Sequence, residues 1–440
     1  MTTTLSETNL SDAAFAAFAA ARGEPPWLAQ MRAEAWRAFA QLPLPDRSHE
    51  EWMRTDIRGL RLEQFCLPLG PTVFGGALPR AKLAEGIELA GSTVAVDSRP
   101  VAARLDAALA GRGVVCGSLD QLAAADDGMV RRHLFGPAVD PRADKFAALH
   151  AACWSGGSLV YVPRDVVVAR PLHLFSVLTP GAADFGHQLI VLEAGAEATV
   201  LAETASADPA APGLHCGAIE ILVGPGARLR YVNLQDWGTG VWHFAQQKAL
   251  VERDASLQWT IGALGARLAK VNQHVALTGP GARAQVNGVM FTEGRQHLAY
   301  HTLQHHAAPH CTSDLLYKGA LQDKSRLVWR GMIRVDRDAQ RTDGYQRNDN
   351  LMLSETARAD SIPGLEILAD DVKCSHGATC GRVDDEMVFY LGARGLTRRE
   401  AARMIVAGFF QQVFDRITIE SVRHALGEAI GRRVREYQGS

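Results

Sequence analysis

From about Ser158 the chain repeats a turn followed by a small residue. The turns are Ala194-Gly195-Ala196, Pro225-Gly226-Ala227, Arg253-Asp254-Ala255, Pro280-Gly281-Ala282 and Arg337-Asp338-Ala339. The first four alanines are spaced 31, 28 and 27 residues apart, and the step from Ala282 to Ala339 is 57, close to twice 28. Short β-rich runs fill the gaps, among them Leu189-Ile-Val-Leu192, Ile219-Glu-Ile-Leu-Val223, Leu229-Arg-Tyr-Val232 and Leu257-Gln-Trp-Thr260. No helical period intervenes. A repeat of this length, built from strands and Gly/Asp turns, is the signature of a solenoid of strands. A parallel β-helix satisfies it, because each coil lends its edge to the next. An antiparallel sandwich with a similar number of strands is the alternative, and the steady turn spacing favours the coil.

Both ends read as helical. Ser11-Asp12 caps a segment with Phe15 and Phe18 on one side, and Gly23 ends it. Pro25-Pro26 opens a second helix carrying Leu28, Met31, Ala35, Trp36 and Phe39. Residues 78–148 give a mixed signal. The organisation expected is an N-terminal helical and mixed region over 1–155, the β-helix over 156–391 and a C-terminal helical domain over 392–440. Thr397-Arg-Arg-Glu400 is a capping box. Behind it Ala402, Ile405, Val406, Phe409, Phe410, Val413, Phe414 and Ile417 recur at helical spacing, and Ile419, Val422, Leu426, Ile430 and Val434 mark a second helix. Such a pair either caps an open solenoid edge or serves as a docking handle. Phe409, Phe410, Val413 and Phe414 are therefore candidates for partner binding or for helix packing.

The chemistry concentrates in Glu366-Ile-Leu-Ala-Asp370-Asp371-Val-Lys373-Cys374-Ser375-His376-Gly377-Ala378-Thr379-Cys380-Gly381. On a strand, residues i and i+2 share a face, so Cys374 and His376 stand side by side, about 7 Å apart at roughly 3.3 Å per residue. A soft thiolate and a borderline imidazole on one face suit iron. Two ligands are too few for a cluster, so the pair reads as half a site, completed by a partner across an interface. A histidine cluster precedes it: His297, His301 and His305 share one strand face, while His306 and His310 take the other, next to Cys311. Hydrogen-bonded histidines stacked on a coil explain this cluster better than a helical metal site, given Pro309.

Bulk properties exclude several classes. A net charge of −2 argues against nucleic-acid or membrane-surface partners. Seven widely spread cysteines do not form a disulfide framework, and no CxxC occurs. The N-terminus has neither a basic stretch nor an apolar run, and no membrane span is expected, so a cytoplasmic protein with free thiols is expected. No GxxxxGK[ST] occurs, so any dependence on ATP belongs to a partner and no nucleotide is bound by this chain. A solitary carbohydrate-active β-helix enzyme would need paired carboxylates on one coil face, and Asp370 and Asp371 are adjacent, hence opposed on a strand.

Leu365 to Thr379, followed by Phe389-Tyr390-Leu391 and Arg394-Gly395, closely resembles the SufB/SufD family of iron–sulfur cluster assembly proteins. Ala339-Gln340-Arg341-Thr342, the His305-to-Ser313 segment and Glu51-to-Thr55 extend the resemblance. Gly392-Ala393 before Arg394 departs from the family pattern. Within the family the chain is most like SufD. The resemblance implies a right-handed parallel β-helix between helical ends and a non-enzymatic scaffold role in a SufB–SufC–SufD complex. That role includes iron acquisition and nascent cluster formation at the SufB interface. It implies a SufB-like paralogue paired through the β-helices, a SufC-like ABC-type ATPase on the C-terminal helices and, indirectly, a cysteine desulfurase. His376, and Cys374 beside it, would hold iron or a transient, shared iron–sulfur cluster; Cys380 is expected to be structural. A SufB-like persulfide-accepting scaffold, and a homodimer of the isolated chain through the same edge, stay open as alternatives.

Overall fold

The structure is a computed structural model that describes residues 10–68, 76–125, 128–136 and 138–435. The outer ends of the expected terminal regions, 1–9 and 436–440, lie outside the described residues.

The centre is a parallel β-solenoid of eight coils, each contributing one strand to each of two sheets. The first sheet stacks, in order, Leu172–Leu178, Glu197–Ser206, Arg228–Asp236, Ser256–Ala263, Arg283–Thr292, Thr312–Leu321, Thr342–Met352 and Val372–Arg382. The second stacks Gly156–Val162, Gly186–Leu192, Pro212–Val223, Gly240–Val251, Leu268–Leu277, His297–His306, Arg326–Val335 and Arg358–Ile367. At the N-terminal end Gly91–Val96 adds a further parallel strand to the first sheet and Arg99–Leu105 closes it antiparallel; Val115–Ser118 closes the second sheet antiparallel. Among the described residues the opposite end has no such closure.

Alternation fills the lumen. Leu229 and Tyr231 on one coil, Leu257 and Trp259 on the next, then Val286, Leu315 and Tyr317 stack on the inner face of the first sheet, all buried. Their polar tips are satisfied: Tyr231 donates to Gln188 Oε1 at 2.7 Å and Trp259 Nε1 to Asn233 Oδ1 at 2.8 Å.

The turns explain the repeat. Asp165, Gly195, Gly226, Asp254, Gly281, His310 and Arg341 all have φ between 54° and 76°. Each backbone N–H donates to the carbonyl just before the left-handed residue of the following turn, as Gly195 does to Pro225 and His310 to Gln340, both at 2.9 Å; Arg341 donates to Asp371, in the last turn. Glycine takes this conformation at no steric cost, and aspartate tolerates it. The next residue enters the core: Ala196, Ala227, Ala255 and Ala282 are fully buried or nearly so.

The structure corrects the fifth turn of the sequence reading. Ala339 is not the counterpart of Ala282. Cα pairing sets Arg283 against Thr312 and Thr312 against Asp343, so the residues that follow Ala282 in this position are Cys311 and Thr342. The interval of 57 matches twice 28 only because Ala339 falls three residues before the true position. Pro309-His310-Cys311 is the turn the sequence reading passed over. It puts a histidine in the left-handed position and a buried cysteine in the alanine position, where Sγ donates to Gly279 O at 3.3 Å.

Helical layers cover the two sheets on their outer faces. Pro26–Gln41 and Lys145–Cys153 pack with Trp52, Phe146 and Phe244 against the second sheet. The buried Arg32 there is matched by Glu24 at 2.6 Å and by Ala152 O at 3.0 Å, as an isolated buried charge requires. Asp385–Ala393, Arg398–Phe414 and Glu420–Arg433 cover the first sheet. Thr397 and Glu400 form the capping box in both directions. Gly262 leaves the space that Leu426 fills; a Cβ there would lie 2.7 Å from Leu426 Cδ2. No described helix is long and apolar enough to cross a membrane.

Candidate functional site

The last coil is where the fold stops covering itself. Val372–Arg382 and Arg358–Ile367 end their sheets, each paired on one edge only. On the strand beneath, Gly344, Gln346, Asn348 and Asn350 face the lumen and are buried. Cys374 pairs with Gly344, His376 with Gln346 and Cys380 with Asn350. All three therefore share the lumen-side face, with no coil above them.

Their environments differ. Cys374 is half-buried against Ile333, Val335, Ala339 and Ala369. Burial raises its thiol pKa, and the Gly344 N–H opposes that shift. A Cβ on Gly344 would lie 3.3 Å from Cys374 Sγ and 3.5 Å from His306 Nε2, so the missing side chain lets a thiol and an imidazole share one space. His306 Nε2 is bonded to Ser313 Oγ at 2.8 Å, and burial pushes its pKa down to about 4, which keeps the ring neutral. His376 is exposed. Beneath it, Gln346 donates to Gly364 O at 2.9 Å and leaves its own Oε1 buried and unbonded. Cys380 is exposed too, with Asn350 Nδ2 and Ser361 Oγ each 3.7 Å from its sulfur.

The earlier histidines separate as the strand parity expects as far as His306, but His310 lies in the following turn and not on the strand face with His306. His297, His301 and His305 lie on the outer face of the second sheet and His306 on the inner. His305 meets Asp336 at 2.9 Å. Burial, with Lys270 and Arg330 nearby, holds His301 down to about 2. Among the described residues no group of three His, Cys, Asp or Glu side chains is arranged to hold a metal ion. Any metal at Cys374 and His376 therefore needs ligands from elsewhere. Asp370 and Asp371 lie in the turn before the terminal strand, where Asp371 faces Arg341 at 3.6 Å.

The C-terminal candidates divide. Phe410 and Val413 are fully buried against Val289, Phe291, Leu316 and Ala320, and Phe409 and Phe414 are half-buried at the edge of the same cluster. The apolar groups open to solvent are others: Phe389 at 79% exposure, Met404 at 57%, Tyr390 at 56% and Met387 at 49%. Sequence reasoning quoted Phe389 and Tyr390 within a motif but gave them no role, and it missed both methionines. Two exposed aromatics beside a capped helix start were the available signal.

Fold and terminal coil together define a β-solenoid protein with helical layers and an open end that carries a thiol and an imidazole on one face. The profile described as "SUF system FeS cluster assembly, SufBD core domain" matches residues 175–409, and "SufBD protein N-terminal region" matches 19–174. An iron–sulfur cluster assembly SufBD family protein of Mycobacterium leprae is 35% identical over 298 residues, 65% of this chain and 74% of that protein. The iron–sulfur cluster assembly protein SufB of Bacillus subtilis is 26% identical over 415 residues, 90% of this chain and 87% of that protein. This chain belongs to the SufBD family of the SUF system, whose members function in iron–sulfur cluster assembly.

Proposed function

We propose that this chain is a non-catalytic, SufD-like scaffold subunit. It offers His376 and Cys374 as half of an iron or nascent-cluster site to a SufB-like paralogue. The observation that carries this reading is the uncovered lumen face of the terminal coil, with both side chains on an edge strand paired on one side only among the described residues. A strand edge of this length is a template for another chain, and a site short of ligands is completed by what docks there. The cluster is cargo, held in passing. A cysteine desulfurase would supply sulfur through the paralogue rather than through this chain.

The exposed Met387, Phe389, Tyr390 and Met404 support docking of a SufC-like ABC-type ATPase on the C-terminal helical layer. Phe409 and Phe414 border that layer, while the burial of Phe410 and Val413 favours their packing role. Co-expression with SufB-like and SufC-like partners, followed by pull-down, tests the assignment. Recovery of a three-component complex supports it; a chain that captures neither partner sinks it.

The similarity to a SufB over 90% of the chain favours a second reading, in which this chain itself accepts persulfide sulfur. Exposure to a persulfide-loaded desulfurase separates the two. One added sulfur atom on Cys374 or Cys380, found by mass spectrometry, selects the second reading.

A further inference from the structure

Hydrophobic patterning holds the register of the terminal strand only at its start, where Val372 and Cys374 pack on Ile333, Val335, Ala339 and Ala369. Register is firmly specified where one face is buried, and a slip of one residue turns every side chain to the other face. Beyond Cys374 neither face is covered: in Val372–Arg382 only Val372, Cys374 and Gly377 reach even half-burial. Yet the placing of Cys374 and His376 on the lumen side depends entirely on that register.

The outer face holds the missing constraint. Lys318, Asp349 and Thr379 stand at one register position on three consecutive strands. Thr379 Oγ1 donates to Asp349 Oδ1 at 2.7 Å. Lys318 Nζ lies 3.7 Å from Asp349 Oδ2 and donates to Phe409 O, in the helix Arg398–Phe414, at 3.0 Å. Its ammonium also sits 4.7 Å above the Phe409 ring. Arg347 Nε, 3.0 Å from each carboxylate oxygen, gives Asp349 a further charged donor. Asp349 and Lys318 are 3% and 7% exposed. A buried ion pair is a poor source of stability next to an apolar pair of the same volume, and its best-attested use is to specify register. A slip would bring Ala378 or Cys380 opposite Asp349 and leave a buried carboxylate short of a donor.

We propose that Asp349, held by Lys318, is a positioning residue for the ligand pair. It clamps Thr379, and with it the register of the terminal strand, and it ties that register to the seating of the helix Arg398–Phe414. The inference rests on reading Cys374 and His376 as ligands, and it adds how their strand is held and what can disturb it. A change in the helix at Phe409 reaches Thr379 through two side chains.

The test is hydrogen exchange and thiol labelling of the full chain, with neither iron nor partners present. Thr379→Val and Asp349→Ala should speed amide exchange in 372–382 by about tenfold, with 256–277 unchanged. They should raise maleimide labelling of the half-buried Cys374 by a similar factor and leave the exposed Cys380 as it was. Lys318→Met should speed exchange in both 372–382 and 398–414. Unchanged exchange and labelling in the first two variants would overturn the clamp, and so would uniform acceleration over all coils. A Lys318→Met effect confined to 398–414 would overturn the tie to the helix. Thr379→Val alters an exposed side chain and keeps the test valid where Asp349→Ala does not fold. A His376→Ala variant that assembles clusters normally would remove the ligand role and leave these exchange results intact.

Discussion

The thiol of Cys374 stands over the bare Cα of Gly344: a Cβ built there would lie 3.3 Å from the sulfur. This contact holds the thiol at the mouth of the lumen, half-buried and beside His306. Gly344→Val should push it outward. Maleimide labelling of Cys374 should become several-fold faster, and crowding should cost about 1–3 kcal/mol in denaturant unfolding. Gly381→Ala, with nothing within 4 Å of its Cβ, is the control and should stay within about 0.5 kcal/mol of wild type.

Among the described residues His376 has no hydrogen-bond partner that would need it in place, and it is exposed on an edge strand. His376→Ala should leave folding and partner capture unchanged and lower iron or cluster content in the assembled complex by about tenfold or more. Iron analysis and the visible absorbance of the purified complex read this directly. Full cluster content in the variant would exclude the imidazole as a ligand.

Much of the fold is legible from residue order, for identifiable reasons. Gly195, Gly226, Asp254 and Gly281 announce their turns because the left-handed conformation selects for those residues. Cys374 and His376 share a face because strand parity admits no other arrangement. The two C-terminal turns were misjudged because His310 and Arg341 adopt the same conformation without looking like turn formers. Lys318 and Asp349 gave no signal at all. In an alternating strand an outward charge reads as solvated, and only the helix laid over this face turns it into a buried pair. The burial of Phe410 and the exposure of Phe389 likewise follow from which helix face meets the sheet.

That last distinction gives a paired test. Phe410→Ala removes a fully buried ring and should cost about 3–5 kcal/mol. Phe389→Asp alters a ring that is 79% exposed and should change stability by no more than about 0.5 kcal/mol. If the ATPase docks on this layer, Phe389→Asp abolishes its binding in a chain that melts normally. Retained binding by Phe389→Asp and Tyr390→Asp would move the docking face elsewhere.

At His310 the turn stores strain. The residue has φ of 61° and keeps the coil-to-coil bond from its N–H to Gln340 O. Its ring has no part in a metal group among the described residues. His310→Gly should therefore stabilise the chain by about 1 kcal/mol, because glycine takes this conformation freely. A loss of stability in thermal unfolding would mean that the imidazole has a packing role which outweighs the backbone.

The buried imidazoles predict acid sensitivity well above the carboxylate range. Burial pushes His150, His215 and His274 down to about 3, and His297 and His306 to about 4. Their folded pKa values lie below the ordinary 6.5, so the stability they contribute is complete above pH 6.5 and is lost as pH falls toward those values. Asp184, raised to about 6, and Glu220, raised to about 8, act in the opposite sense, because the folded state holds their protons more tightly. Burial lowers His133, His187, His243 and His301 as well and raises Asp97 and Asp144, so nine imidazoles against four carboxyls leave the unfolded chain taking up more protons between pH 6.5 and 4.5. Each unbalanced proton is worth about 1.4 kcal/mol per pH unit. The melting temperature should fall steeply over that window. His274 has a buried, unbonded Nε2, so His274→Gln removes one proton-binding group without removing a bond at that atom. The variant should lessen the decline by up to about 1.4 kcal/mol per pH unit. A flat profile between pH 6.5 and 4.5 would mean that these rings are already charged, or open to water, in the folded protein.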